Sequence, residues 1–443
     1  MGNQRNIILV TADSVRADHC GFMGYDRNTT PTIDKMADEG IVFNNAIAAG
    51  VPSLPSLFSM YTGEFYPYDP ANAFSNRNEV TEELSFYKTL PEYFKERGYN
   101  TIGISTNGYM SKYFGFDRGY DVFREFLPTF PDEETDKNIK LKNILGTKIA
   151  QGIRGLSSNI NSILRNEDLI VGWKDIYPEI KNEMELMVNS DKPFFAHIFL
   201  VDSHTPYRPD SIYWGPNRLN SSIRKFYHTI YLQYLKSKRI RGKNATMPDF
   251  YRRRIIDCYD DSIRSIDSFV KRLWKDTEES NPLLIFHSDH GESFGEKGYF
   301  EHPPKLHEEL IHVPLVIYND GDKEVNKPVS LRDLKEIILS TSNKDNRRQE
   351  YPNENSSPWT FSFVKENNQA NFAVRTENYK YLYKDEEDSK LYNLNSQRSC
   401  KTTQENIGSL GEQLEALTLT QLSHNKEISS IKAGILDAIE GEL

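Results

Sequence analysis

LLIFHSDHGESFGEKGYFEHPPKLHEELIHVPLVI, residues 283–317, begins with apolar residues of buried-strand length and character, Leu283 to Phe286. The run ends at Ser288-Asp289-His290-Gly291, so a carboxylate and an imidazole stand side by side where a strand should stop. Twelve residues beyond His290 comes His302, and a second apolar run, Val313 to Ile317, closes the stretch. Open α/β sheets bind ligands beyond the carboxyl ends of their strands, which makes the Asp-His pair a candidate site. Taken by itself the pair also fits a helix cap, and the rest of the chain has to decide between the two.

Three further apolar runs read as buried strands. Residues 7–10 (IILV) lead to Asp13, residues 101–105 lead to Asn107, and residues 194–201 (FFAHIFLV) lead to His204. Near-continuous apolar runs belong to parallel strands covered on both faces. His197 falls inside the last run and reads as a core histidine. Helical patterns over residues 32–40, 87–98, 173–188 and 258–274 lie between the strands. That alternation predicts an α/β fold with a central, mostly parallel sheet. Residues 53–63, SLPSLFSMYTG, start another helix, with Ser53 at or near its N-cap and Pro55 in the first turn. A hydroxyl there sits among unpaired N–H groups that favour an anion, as a nucleophile toward phosphate or sulfate would; a plain serine cap is the alternative.

With 443 residues, the chain is expected to form one large domain over residues 1–340 and a small C-terminal α+β unit over 359–443. Insertions are expected near 131–168, which is polar and Lys- and Asn-rich, and near 208–255. Residues 340–358 read as a linker, and residues 371–375, 379–383 and 390–394 as short antiparallel strands. The tail over residues 403–441 reads as polar helix. A net charge of −10 argues against a general nucleic-acid binder. The basic residues between 236 and 254 read as a solvated face, or as a rim for an anionic polymer. Cys20, Cys258 and Cys400 lie far apart in no metal-type spacing, which favours a reducing compartment. No apolar run is long enough to span a bilayer or form a signal core, so a cytoplasmic protein is expected.

Asp13, Ser53, His204, Asp289, His290 and His302 thus converge on one sheet edge, although Asp13 and Asp289 are 276 residues apart. Two carboxylates, an imidazole and a hydroxyl suit a divalent cation with a position left for substrate. The order of segments resembles the sulfatase family of the alkaline phosphatase superfamily. The likeness runs through NIILVTADSVRADH, TPTIDKMADEGIVFNNA, the Ser53 segment with its closing TG, FGFDRGYD and HTPY, and on through SDHGE, HVPLVIY, SLRDL, VRTENYKYLY and LYNL. The resemblance implies a large three-layer sandwich with a small C-terminal antiparallel sheet and helix. It also implies one divalent cation, calcium first with manganese or zinc as alternatives. Its ligands would be Asp13, Asp289 and His290, with Ser53 as both nucleophile and ligand, and His204 near the leaving group. Family members carry a Cys or Ser converted to formylglycine at the nucleophile position.

The departures from the family pattern are specific. Leu57 stands where the modification motif has Arg, and Ser14 where a second N-terminal ligand Asp is expected. His302 replaces a Lys thirteen residues after Asp289, and Asn107 with Lys112 takes the place of a Gly-Lys-x-His segment. His302 is therefore expected in the catalytic set, and Asn107 and Lys112 in substrate binding. The expected activity is metal-dependent cleavage of a sulfuric or phosphoric ester, small-molecule or glycan, by attack from Ser53. The alternatives are a phosphodiesterase or phosphotransferase with unmodified Ser53, and a non-catalytic binder of sulfated or phosphorylated glycans.

Overall fold

A computed structural model describes residues 4–127, 171–205, 207, 246–321, 323–342, 357–367, 369–384 and 389–394, with 412–414, 416–417 and 419–421 in the tail. The expected insertion at 131–168, most of that at 208–255 with the basic residues 236–243, most of the linker and most of the tail lie outside these residues.

In chain order the strands are β1 (Ile7–Ala12), β2 (Gly40–Phe43), β3 (Ala46–Ile47), β4 (Asn100–Ser105), β5 (Val122–Glu125), β6 (Phe194–Leu200) and β7 (Leu283–Ser288). They continue with β8 (Ser293–Phe294), β9 (Phe300–Glu301), β10 (His312–Val313), β11 (Leu315–Tyr318), β12 (Lys323–Val325) and β13 (Val329–Ser330). Eight of them form one sheet in the order β12-β2-β11-β7-β1-β6-β4-β5. Every neighbour in it is parallel except at β11, which runs antiparallel to both β2 and β7.

Both faces are covered, and β1 shows why its sequence is apolar throughout. Ile7 and Leu9 enter one core with α2 (Ser53–Thr62), whereas Ile8, Val10 and Ala12 enter the other with α1 (Pro31–Asp38). Successive side chains of a strand point to opposite faces, so a strand buried on both sides has no position left for a polar residue. The exceptions at the sheet centre are Thr11, His197 and His287, and they satisfy one another. The Thr11 hydroxyl lies 2.8 Å from Nε2 of both histidines, and the Tyr61 hydroxyl lies 2.8 Å from His197 Nδ1. His197 is therefore a core residue with a full set of partners, and burial holds its pKa well below the ordinary value.

The long helix over Asp249–Thr277 starts nine residues before Cys258, where its apolar periodicity becomes plain in sequence. Its first turns, with Arg252, Arg253 and Arg254, carry few buried residues before Ile255 and so resemble a loop in composition. Strands β14 (Trp359–Glu366), β15 (Gln369–Thr376), β16 (Tyr379–Tyr383) and β17 (Lys390–Asn393) form an antiparallel meander. It docks on the main domain through Phe363 N donating to Ala49 O at 2.8 Å and through the Ser362 hydroxyl donating to Ala48 O at 2.6 Å. The architecture is thus a large mixed sheet between helical layers with a small C-terminal antiparallel sheet, as the sequence predicts.

Candidate active site

The site lies where β1 and β7, adjacent and in register, reach their carboxyl ends. Beyond β1 the chain turns sharply at Ser14, whose φ of 63° is left-handed. That turn stitches the two strand ends together. Ser14 N donates to Asp289 Oδ1 at 3.1 Å, and Val15 N donates to the Ser288 hydroxyl at 2.7 Å. Beyond β7, Gly291 packs against backbone so closely that a Cβ would come within 2.1 Å of Glu309 O. Only glycine fits there, which accounts for its place directly after the Asp-His pair.

Asp13, Asp289 and His290 are fully buried, and one ligand atom from each lies within 4.8 Å of the others. His290 Nδ1 lies 2.9 Å from Gly291 O, an acceptor only, so Nδ1 keeps a proton and Nε2 is the ring nitrogen turned to the carboxylates; burial opposes charge on the ring, but Asp289 and Asp13 raise its pKa. That Nε2 is 3.1 Å from Ser53 Oγ, 3.5 Å from Asp289 Oδ2 and 3.8 Å from Asp13 Oδ1. Ser53 is the first residue of α2, one place past the Pro52 cap, so its own side chain is not used in capping. Asn107 completes the group. Its Oδ1 accepts Tyr109 N at 2.8 Å, which turns its amide nitrogen toward Asp13 Oδ2 at 2.7 Å and Ser53 Oγ at 3.5 Å.

The two carboxylates are held unlike each other. Burial opposes ionisation of Asp13, but the imidazoles of His204, His290 and His302 and the Ser14 hydroxyl hold it below the usual carboxylate range. Burial pushes Asp289 up to about 6, with His290 opposing and the charge of Asp13 adding to the rise. Asp289 Oδ2 is buried with no hydrogen-bond partner. A buried carboxylate oxygen without a hydrogen-bond partner, beside a second carboxylate, an imidazole nitrogen and a hydroxyl, is a donor set that fits a divalent cation.

His204 and His302 line the same cavity of about 820 Å³ as Asp13, Ser53 and Asn107. Their rings are 4.8 Å apart, and the His302 ring is 4.7 Å from that of His290. His204 Nδ1 donates to Thr205 O at 2.6 Å, leaving Nε2 for a second partner. His302 returns to the site because β8 and β9 form a tight antiparallel hairpin. Burial and the neighbouring His290 and His204 push the pKa of His302 well down. Lys112 is the expected site residue that stands apart. It is exposed, and it does not line this cavity.

Glu292 is a member of the cluster that sequence reading overlooks. It is fully buried, burial pushes its pKa up to about 8, with Glu301 adding to the rise, and its Oε1 lies 3.5 Å from His302 Nδ1. Its place at the end of the SDHGE segment, three residues after Asp289, is the signal the sequence offers. The hairpin that buries it is a tertiary event.

Similarity to known proteins follows the same lines. The chain is 24% identical over 340 residues to iduronate 2-sulfatase of Mus musculus, covering 71% of this chain and 59% of that protein. It thus spans about three-fifths of the length of that relative. It is 23% identical over 325 residues to a phosphoethanolamine transferase of Helicobacter pylori, covering 72% of this chain and 48% of the relative. The fold resembles a phosphonate monoester hydrolase of Agrobacterium radiobacter with a TM-score of 0.64 at 16% identity, covering 95% of this chain and 96% of the other. Among the described residues no helix is long and apolar enough to cross a membrane. A family model described as Sulfatase matches residues 5–341, most of the chain, and the protein accordingly belongs to the sulfatase family.

Proposed function

We propose that the protein is a metal-dependent hydrolase of a sulfuric ester, with Ser53 as the attacking group. The observation that carries this reading is the approach of Ser53 Oγ to His290 Nε2 at 3.1 Å, beside the Asp13 and Asp289 carboxylates. Asp13, Asp289 and His290 would hold the cation with Ser53 Oγ; calcium is the first expectation. A divalent cation held by these residues would supply Lewis-acid polarisation of the ester oxygens and would favour the ionised Ser53 hydroxyl. Asn107 steadies Asp13 and offers its amide to the Ser53 oxygen. Ser53 Oγ, its own proton released to solvent as the hydroxyl ionises, forms a bond to sulfur as the ester bond to the leaving oxygen breaks. His204, whose Nδ1 proton is held by Thr205 O, gives the leaving alkoxide the proton it needs from Nε2 in its imidazolium form. Water then cleaves the serine ester and returns that proton. His302, packed on both other imidazoles, faces the cavity where substrate or water would meet it.

Leu57 favours a second reading, a phosphoric or phosphonic ester attacked by the unmodified hydroxyl. It occupies the motif position of Arg and is fully buried in the core against α2's own layer, so the modification signal is missing. The names of the Helicobacter and Agrobacterium proteins accord with phosphorus chemistry. Both readings are tested by assaying aryl sulfate and aryl phosphate esters in parallel with calcium, manganese and zinc. Ser53→Ala should lose at least about a thousandfold in kcat/KM with its fold intact. Retained turnover in that variant would remove Ser53 from the mechanism. Intact mass distinguishes Ser53 from its formylglycine, which is lighter by about two hydrogens.

A further inference from the structure

A second cavity, of about 850 Å³, lies where the small sheet meets the main domain, and it shares no lining residue with the one over Ser53. It backs on to the turn that carries Asp289 and His290. Arg16 and Glu309 line it, and a Cβ on Gly291 would fall 3.1 Å from Arg16 Cγ and 2.1 Å from Glu309 O. Four cationic side chains and five carboxylates face this cavity. Most of them stand in pairs. Arg16 lies 2.7 Å from Asp18 and 3.0 Å from Glu296, and Glu308 lies 3.0 Å from Arg375 and 3.3 Å from Lys380. An anion bound here would meet the carboxylates and a cation the ammonium and guanidinium groups, so neither net charge is favoured.

Hydrogen-bonding capacity is left over on both sides. Glu309 is 8% exposed; its Oε2 lies 3.5 Å from Lys297 Nζ, and its Oε1 is buried without a hydrogen-bond partner. Lys380 is 3% exposed and carries three N–H donors, of which one is engaged among the described residues, to Glu308 Oε2. A buried acceptor and buried donors in one cavity call for groups that can both give and take a hydrogen bond, and hydroxyls are such groups. Tyr392 adds a ring face to the same cavity, with Lys297 Nζ 5.4 Å from its centroid. We infer that this cavity binds an uncharged, hydroxyl-rich ring, a neutral sugar residue, with hydroxyls on Glu309 and Lys380 and an apolar ring face on Tyr392. The site is non-catalytic and gives the small sheet a binding role of its own. It goes beyond the ester cleavage proposed at Ser53 and does not depend on it.

Calorimetric titration of the whole chain with maltose, cellobiose, lactose and chitobiose tests the assignment, with sodium sulfate and glycine as anionic and zwitterionic probes. At least one disaccharide should bind with a Kd of about 1 mM or below, and at least about tenfold more tightly than sulfate or glycine. Tyr392→Ala should weaken that binding at least about tenfold and Glu309→Gln at least about fivefold. Tyr392→Phe, which keeps the ring face, should retain it, and so should Ser53→Ala. Absence of any disaccharide binding at about 10 mM, or tighter binding of sulfate or glycine, would overturn the assignment. Binding that Ser53→Ala removes and Tyr392→Ala leaves intact would place the sugar in the other cavity and would overturn it as well. A chain that turns over no ester yet binds the disaccharide through Tyr392 and Glu309 upholds this site while removing the mechanism at Ser53.

Discussion

Asp289 concentrates the tension of the site in one side chain. Its Oδ1 accepts from Ser14 N and His290 N, while Oδ2 has no hydrogen-bond partner, and its pKa is pushed up to about 6. Asp289→Asn keeps the shape and an acceptor but removes the charge. Metal binding measured by equilibrium dialysis should fall at least about tenfold and turnover by about a thousandfold, with no loss of thermal stability in the metal-free protein. A large drop in stability would assign Asp289 to the fold instead. Leu57 makes the opposite case. It is fully buried in the apolar core, so Leu57→Arg, which restores the lettering of the modification motif, should cost about 3 kcal/mol or more in urea unfolding. An unchanged midpoint would mean that the core has room for a guanidinium at that place.

Between elements, the small sheet is held to the main domain by Glu308, the first residue of a short helix (Glu308–Ile311) that follows the site loop. Its carboxylate lies 3.0 Å from Arg375 Nε on β15 and 3.3 Å from Lys380 Nζ on β16, both cations almost wholly buried. Burial alone would raise the pKa of Glu308, but Lys380 and Arg375 hold it down to about 2. A carboxyl depressed in the folded state stabilises above its unfolded pKa, near 4.5, and that contribution is lost as pH falls toward 2. Glu308→Gln should therefore cost about 3 kcal/mol at neutral pH, because it removes the carboxylate that faces two buried cations, and should flatten the pH dependence of stability between about 4.5 and 2. An acid profile unaltered by the substitution would show that other carboxylates govern this range. The same helix adjoins the glycine turn of the site, where Gly291 N donates to Leu310 O at 2.8 Å.

For the molecule as a whole, a cation bound between β1 and β7 would act as a brace, since its proposed ligands come from residues 13 and 289–290. Protein treated with chelator should melt lower, and refilling with calcium, manganese or zinc should restore several degrees. The gain from a ligand at one hundred times its Kd is about 2.7 kcal/mol. The ion that restores most stability should also restore most activity, and Asp289→Asn should lose the thermal shift. A shift that persists in Asp289→Asn would put the brace elsewhere.

Runs such as residues 7–10, 194–201 and 283–286 declare parallel strands because a strand covered on both faces can carry little but apolar side chains. Parallel strands connected by helices send their carboxyl ends to one edge. The meeting of Asp13, Ser53, His204 and the Asp289-His290 pair was therefore legible before any coordinate. The family was legible too, since its motifs are the turns that follow those strands. What the order of residues left open was direction and depth. Lys112 and Glu292 are both charged residues close to site motifs in sequence, yet Lys112 ends in solvent and Glu292 is sealed against His302. The start of the long helix at Asp249 and the gathering of Phe74, Tyr113 and Phe300 on one cavity were equally hidden. Local pattern states which residues a strand or helix must bury, but the packing of distant segments decides which side chains share a space, and electrostatic environment follows from that packing alone.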